Sequence, residues 1–190
     1  MTPARDLQFK SINYTGLGQG PRLIVTGAVH GNETCGTKAI LRVMADIDGG
    51  KLQVRAGSVT FVPITNPLAY QLERRSGERN LNRNLFPKDD PQDFEDQIAN
   101  WLCPLLAQHD VLLDLHSFNA QSQPFAMVGP RNNEGTLQPF KHAEKERALA
   151  RRSQAMLIAM ATGTGKTRTM VNEVYRLLRS NYARRVLFLV

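Results

Sequence analysis

The sequence predicts an α/β fold. Three observations carry that reading. Short apolar, β-branched runs stop abruptly, amphipathic stretches of helical period separate them, and polar residues with chemical potential collect just past the run ends. A chain of 190 residues is long enough for a domain with a substantial core. Its 42% hydrophobic and 22% charged residues are ordinary for a globular protein. No apolar run approaches the roughly 20 residues that cross a bilayer. The opening "MTPARDLQFK" lacks an apolar signal core, so a cytoplasmic protein without membrane association is expected. Two cysteines, Cys35 and Cys103, are too few for a disulfide framework.

The elements follow in order. Residues 22–29, "RLIVTGAV", read as a buried strand bounded by Pro21 and by His30-Gly31. Residues 35–47, "CGTKAILRVMADI", place Ile40, Leu41, Met44 and Ile47 at helical spacing, with Gly49-Gly50 as the stop. "GSVTFVPIT" is a second strand, closed by Asn66-Pro67. Residues 68–92 are polar, rich in Arg and Asn, and read as one long ordered loop, a length usually associated with function or disorder. "DFEDQIANWLCPLLAQ" is an amphipathic helix with acids in its first turn, as the helix dipole favours. "DVLLDLHS" is a third buried strand and "PFAMVG" a short fourth. From about residue 141 the texture changes: "KHAEKERALARRSQ" reads as a charged helix, "AMLIAM" as a strand, "RTMVNEVYRLLRS" as a helix and "RVLFLV" as a strand.

Charge divides the chain in the same place. The net charge is +7, yet residues 1–138 hold 13 Lys+Arg against 14 Asp+Glu, while residues 139–190 hold 11 against 3. The whole basic excess therefore lies in the last 52 residues. A solvated basic helix face is the plain explanation, and attraction to nucleic acid the sharper one.

Two of the four histidines, His30 and His116, directly follow predicted buried strands. Catalytic zinc sites commonly take three ligands from His and Glu and leave one position for water. His30 and Glu33 can reach one ion from a single turn, and His116 joins them if its strand lies near the first. Such a set leaves the ion net positive, able to acidify water and polarise a carbonyl. Asp114 shares the strand face of His116 and is placed to orient an imidazole. Taken alone, a His-x-x-Glu turn is more often a capping arrangement; the third residue is what favours a metal. His109 and His142 read as surface residues, and Cys35 as a small buried helix residue.

"GAVHGNE", "NPLAY", "RNLNRNLFP" and "LLDLHS" resemble, in that order, motifs of the succinylglutamate desuccinylase/aspartoacylase family, over roughly residues 5–145. The resemblance implies a carboxypeptidase-like mixed sheet with flanking helices, truncated towards its C-terminus here. It implies a zinc-dependent amidohydrolase with one zinc on His30, Glu33 and His116, and a small carboxylate as substrate. Asn82 and Arg83 match the pair that grips the substrate's carboxylate, and Arg75 the arginine that stabilises the oxyanion. The family's "DLNR" reads "NLNR" here, with Asn80 in place of the acid. The residues agree: Arg74, Arg75, Arg79 and Arg83 give the loop a positive field, and a guanidinium binds a carboxylate through two parallel hydrogen bonds. A donor aimed at a developing oxyanion favours the transition state over the ground state.

The family's general base, a Glu on a later strand, has no match after residue 145. Glu144, Glu146 and Glu173 sit in charged helices, and Glu134 in "GPRNNEG" has the wrong motif. The place is taken by "MATGTGKT", residues 160–167, in a strand–loop–helix context suited to phosphate. "ATGTGKTRT" with the following "YRLLR" and "RRVLFLV" resembles the first nucleotide motif of superfamily 2 helicases, especially the type I restriction enzyme motor subunit. That resemblance implies ATP at Gly163, Thr164, Gly165, Lys166 and Thr167, with Thr167 on magnesium, as a short P-loop-like β-loop-α-β segment. The chain thus reads as a zinc hydrolase-like domain over 1–145, incomplete, and a P-loop NTPase-like fragment over 146–190. Three functions compete: an amidohydrolase impaired by its missing base, a nucleotide- or DNA-binding fragment, and a zinc-binding module without turnover.

Overall fold

The computed structural model describes residues 7–117 and Ala148. The readings of "PFAMVG", Glu134, His142, "AMLIAM", the phosphate loop, "RTMVNEVYRLLRS" and "RVLFLV" lie outside the described residues, as does the charged helix apart from Ala148. Among those described, a four-stranded mixed sheet has the order β1-β3-β2-β4. Its strands are β1 (Ile12–Thr15), β2 (Gly18–Gly27), β3 (Ala56–Val62) and β4 (Val111–Leu115). β1 runs antiparallel to β3, whereas β3 and β4 flank β2 in parallel. The helices are α1 (Thr34–Asp48), α2 (Pro67–Gln71) and α3 (Phe94–Ala107).

Alternation along the strands builds the core. Val25, Val59, Phe61, Leu113 and Leu115 are buried in one cluster with Ile40 and Val43 of α1. Of the residues read from the helical spacing, Ile40, Met44 and Ile47 meet the sheet, whereas Leu41 is half exposed and Val43 takes its place in the core. A second cluster joins Val29, Leu81, Ile98 and Leu102, with Phe9, Phe94 and Trp101 packed against it. Fully burying one such aliphatic side chain stabilises by about 1.5–3 kcal/mol. Leu81 is therefore an effective anchor, and it lies in the middle of the polar loop, 1% exposed.

The sequence reading does not include β1 and runs the second strand on to Thr65, whereas β3 ends at Val62; three further departures have a physical cause. β2 begins before Pro21, which lies where the register against β3 shifts, between Gly18 and Arg22. A proline cannot donate to the ladder, and an irregularity tolerates it. β2 ends at Gly27 rather than Val29 because Ala28 takes a left-handed φ of 49°. That conformation costs an L-residue roughly 1–2 kcal/mol, and here Thr65 and Asn66 fix it through bonds to the carbonyls of Gly27 and Ala28. Within the long loop, "NPLAY" forms α2: Asn66 caps it by accepting from the Ala69 N–H at 3.0 Å, and Pro67 takes the first helical turn.

Pairing geometry then converges the strand ends. β2 and β4 are parallel neighbours with Gly27 opposite Leu115. His30 and His116 therefore leave the sheet at the same carboxyl edge, where α/β sheets gather ligand groups. Gly31 makes the first turn fit. A Cβ there would lie 2.0–2.2 Å from the backbone of Ala69 and Tyr70 in α2. Gly31→Ala is expected to push α2 away and lower stability by about 1–3 kcal/mol, the usual cost of overpacking. Urea unfolding checks it; an unchanged midpoint contradicts the close approach.

Candidate metal centre

Glu33 occupies the N-cap position of α1, yet its side chain makes no capping bond. The carboxylate turns inward instead. Oε1 lies 2.9 Å from His30 Nδ1 and accepts from Arg75 Nη1 at 3.1 Å. Oε2 lies 3.0 Å from His116 Nδ1 and accepts from the Ser117 N–H at 2.8 Å. The capping alternative is thereby removed by geometry. Ligand atoms of His30, Glu33 and His116 all lie within 4.8 Å of one another. His30 and Glu33 are buried and His116 is nearly so.

Both far nitrogens are backed. His116 Nε2 lies 2.6 Å from Asp114 Oδ2, and Asp114 Oδ1 accepts from Thr26 Oγ1 at 2.7 Å. Thr26 stands opposite Asp114 in the β2–β4 register, so the sheet itself aims this carboxylate. His30 Nε2 faces Asn80 Oδ1 at 3.3 Å. Burial opposes ionisation of His116, but Asp114 and Glu33 outweigh it and push the imidazole up to about 9. Burial likewise opposes the Glu33 carboxylate, and bonds from His116, His30 and the Ser117 N–H hold it well below the usual range.

The arginines of the loop differ in what they touch. Arg75 reaches Glu33 with its guanidinium half-exposed. Asn82 and Arg83 face solvent, and Arg83 Nη1 bonds only within the loop, to Asn82 O at 2.7 Å. Arg79 adds nothing to the positive field expected of it. Its Nε pairs with Asp93 and its Nη2 with Asp96, each at 2.6 Å, and Nη1 donates to Arg83 O at 2.6 Å. His109 is not a surface residue as read from sequence. It is half-buried between Leu105 O and Thr60 Oγ1, each at 2.7 Å. Residues 163–167 lie outside the described residues.

Sequence reasoning missed Glu95. Although 0% exposed, it accepts from Asn66 Nδ2 and from the N–H groups of Gly77, Glu78 and Arg79 at 2.9–3.2 Å. This carboxylate folds the loop onto α3. A Cβ on Gly77 would come within 2.6 Å of its Oε1. In sequence Glu95 is one of two acids in a first turn, indistinguishable from a solvated dipole partner.

The sequence profile of the succinylglutamate desuccinylase/aspartoacylase catalytic domain matches residues 19–175. The chain belongs to this family. The matched span continues past residue 145 and across the predicted phosphate loop. Over 104 residues the chain is 35% identical to N-α-acetyl-L-2,4-diaminobutyric acid deacetylase of Halomonas elongata, which covers 53% of this chain and 29% of that protein. An aspartoacylase family protein from Mesorhizobium loti shares the fold, with a TM-score of 0.63 at 23% identity, covering 96% of this chain and 55% of that one. The chain thus spans about a third to a half of the length of these relatives. Over 45 residues, 24% of this chain, it is 51% identical to the type I restriction enzyme EcoKI endonuclease subunit of Escherichia coli, of which the match covers 4%. No helix among the described residues is long and apolar enough to cross a membrane.

The loop network titrates. Lys88 foremost draws the Asp96 carboxyl well below its ordinary value; burial opposes this, and the Gln92 N–H and Arg79 add to it. A folded-state value below the unfolded one stabilises the fold above about pH 4, and that stabilisation disappears as pH falls further. Asp96→Asn is expected to lower the urea midpoint at neutral pH and to shrink the drop between neutral and acid conditions. An acid slope identical to that of the parent protein contradicts the network.

Proposed function

We propose that this chain is a zinc-dependent amidohydrolase domain acting on small N-acyl amino acids or related carboxylates, with turnover impaired. Family membership supports the amidohydrolase type. The convergence of two imidazole nitrogens and one carboxylate on a single buried point is the observation that carries the rest. That donor set fits zinc: it is the three-ligand kind that leaves a coordination position open. His30, Glu33 and His116 would hold the ion. Bound zinc supplies an acidified water and polarisation of the acyl carbonyl.

The chain's own residues do the remaining work. Asp114 and Asn80 aim the two imidazoles. Arg75, at the rim beside Glu33, donates to the acyl oxygen as it gains negative charge, an interaction stronger in the transition state than before it. Arg83 binds the substrate carboxylate through its planar fork, with Asn82 as its neighbour. The Halomonas relative is by name a deacetylase of an N-acetylated amino acid, which favours a substrate with a free carboxylate for Arg83. The division at residues 145 and 146 belongs to this proposal, and with it the absence of the general base. A nucleotide-binding role for residues 163–167 has only the short restriction-enzyme likeness behind it.

Metal analysis of the purified chain is expected to give one zinc per chain, largely lost in His116→Ala. Tight zinc retained in that variant would remove His116 from the centre. Hydrolysis of acetyl-aspartate and succinyl-glutamate is expected to be slow, because loss of a positioned base costs about 10²–10⁴-fold. The comparison is a version extended by a family C-terminal region. Equal rates, with Glu134→Gln silencing the shorter chain, would show that Glu134 is the base and that the chain is not impaired.

A further inference from the structure

We infer that Arg79 is a positioning residue for substrate recognition: its guanidinium, clamped by two carboxylates at the start of α3, holds the backbone of Arg83 so that the Arg83 side chain meets a substrate carboxylate already oriented. The inference rests on the carboxylate grip proposed above and adds to it the residue that aims it.

Arg79 is bound to α3 by main chain and side chain alike. Its N–H donates to Glu95 Oε2 at 3.1 Å. Nε and Nη2 donate to Asp93 Oδ2 and Asp96 Oδ1, each at 2.6 Å. Neither acid is free to move. Asp93 caps α3 by accepting from the Asp96 N–H at 2.7 Å, and Asp96 is fully buried. A planar guanidinium held at two of its nitrogens has one direction left for the third. Nη1 takes that direction, donating to Arg83 O at 2.6 Å and facing Asn80 O at 3.5 Å.

The consequence falls on Arg83. Its N–H donates to Asn80 O at 3.1 Å, and its C=O accepts from Arg79. Both peptide groups flanking its α-carbon are thereby fixed, and with them the direction in which the side chain leaves the loop. No helix or strand holds this carbonyl, and Asn84 follows it with a left-handed φ of 52°. The guanidinium of Arg79 therefore does what regular structure does elsewhere. Arg79 offers an incoming anion little attraction of its own, because its charge and that of Lys88 are matched by Asp93 and Asp96. The anion meets Arg83, and Arg79 sets how much freedom Arg83 has left to lose on binding. A lysine at position 79 would bring a point charge without the fork, and would not span two acids and a carbonyl together.

The test is calorimetric binding of N-acetylalanine and of its uncharged amide, N-acetylalanine amide, to the zinc-loaded chain, with the ratio of the two affinities as the readout. The parent is expected to prefer the carboxylate, and Arg83→Ala to abolish the preference. Arg79→Lys is expected to lower the preference about tenfold, the scale of the cost of ordering one long side chain, while the amide binds as to the parent. Adding Arg79→Lys to Arg83→Ala is expected to change the ratio no further, because Arg79 acts through Arg83. Asp93→Asn, which weakens the hold on Nε and keeps an oxygen at the helix cap, is expected to shift the ratio in the same direction by less, and it decides the matter if Arg79→Lys does not fold. A parent preference kept in full by Arg79→Lys overturns the inference, as does a further fall of the ratio in the double variant. A parent without preference refutes the carboxylate grip itself, and the positioning role with it.

Discussion

The centre depends on one carboxylate that the helix does not use. Glu33 stands where a side chain would ordinarily satisfy the first N–H groups of α1, and it turns away from them. The partial positive charge of the helix start still favours its ionised form. Its two oxygens meet His30 and Arg75 on one side and His116 and Ser117 on the other. Residues from β2, the arginine loop and the end of β4 are thus joined through a single buried group. Removing it would leave two imidazoles and a guanidinium facing one another.

A second carboxylate performs the corresponding task for the loop. Glu95 gathers three consecutive N–H groups and the Asn66 amide, so that a stretch without regular structure is ordered by α3. Arg79 completes this by clamping the Arg83 carbonyl onto Asp93 and Asp96. The cost of burying charge is met by dense hydrogen bonding on every member, the condition under which such networks hold one conformation. Asn82 and Arg83 stay exposed above this network.

Much of this was legible in the residues. Strand–helix alternation and helical spacing placed α1, α3 and the cores of β2, β3 and β4 to within a few residues. His30, Glu33 and His116 were readable because each follows a strand and because their motifs stand in order. The bounds of β2 were not readable, since Ala28 gives no compositional sign of a left-handed turn. β1 is a four-residue edge strand whose paired residues in β3 lie 43 to 49 positions away, and local pattern carries no such pairing. The roles of Glu95, Arg79 and Asn80 were hidden for a related reason. An acid in a helix start, an arginine in a basic loop and an asparagine before a leucine look the same whether they are solvated or buried.

The central claim is that two imidazoles and the Glu33 carboxylate form one ligand set. Zinc K-edge X-ray absorption on the metal-loaded chain tests it directly. The account predicts a shell of nitrogen and oxygen at about 2.0–2.2 Å, with the outer scattering of two imidazole rings. A sulfur shell at about 2.3 Å, which would implicate Cys35 or Cys103, or a shell without imidazole scattering, would contradict it.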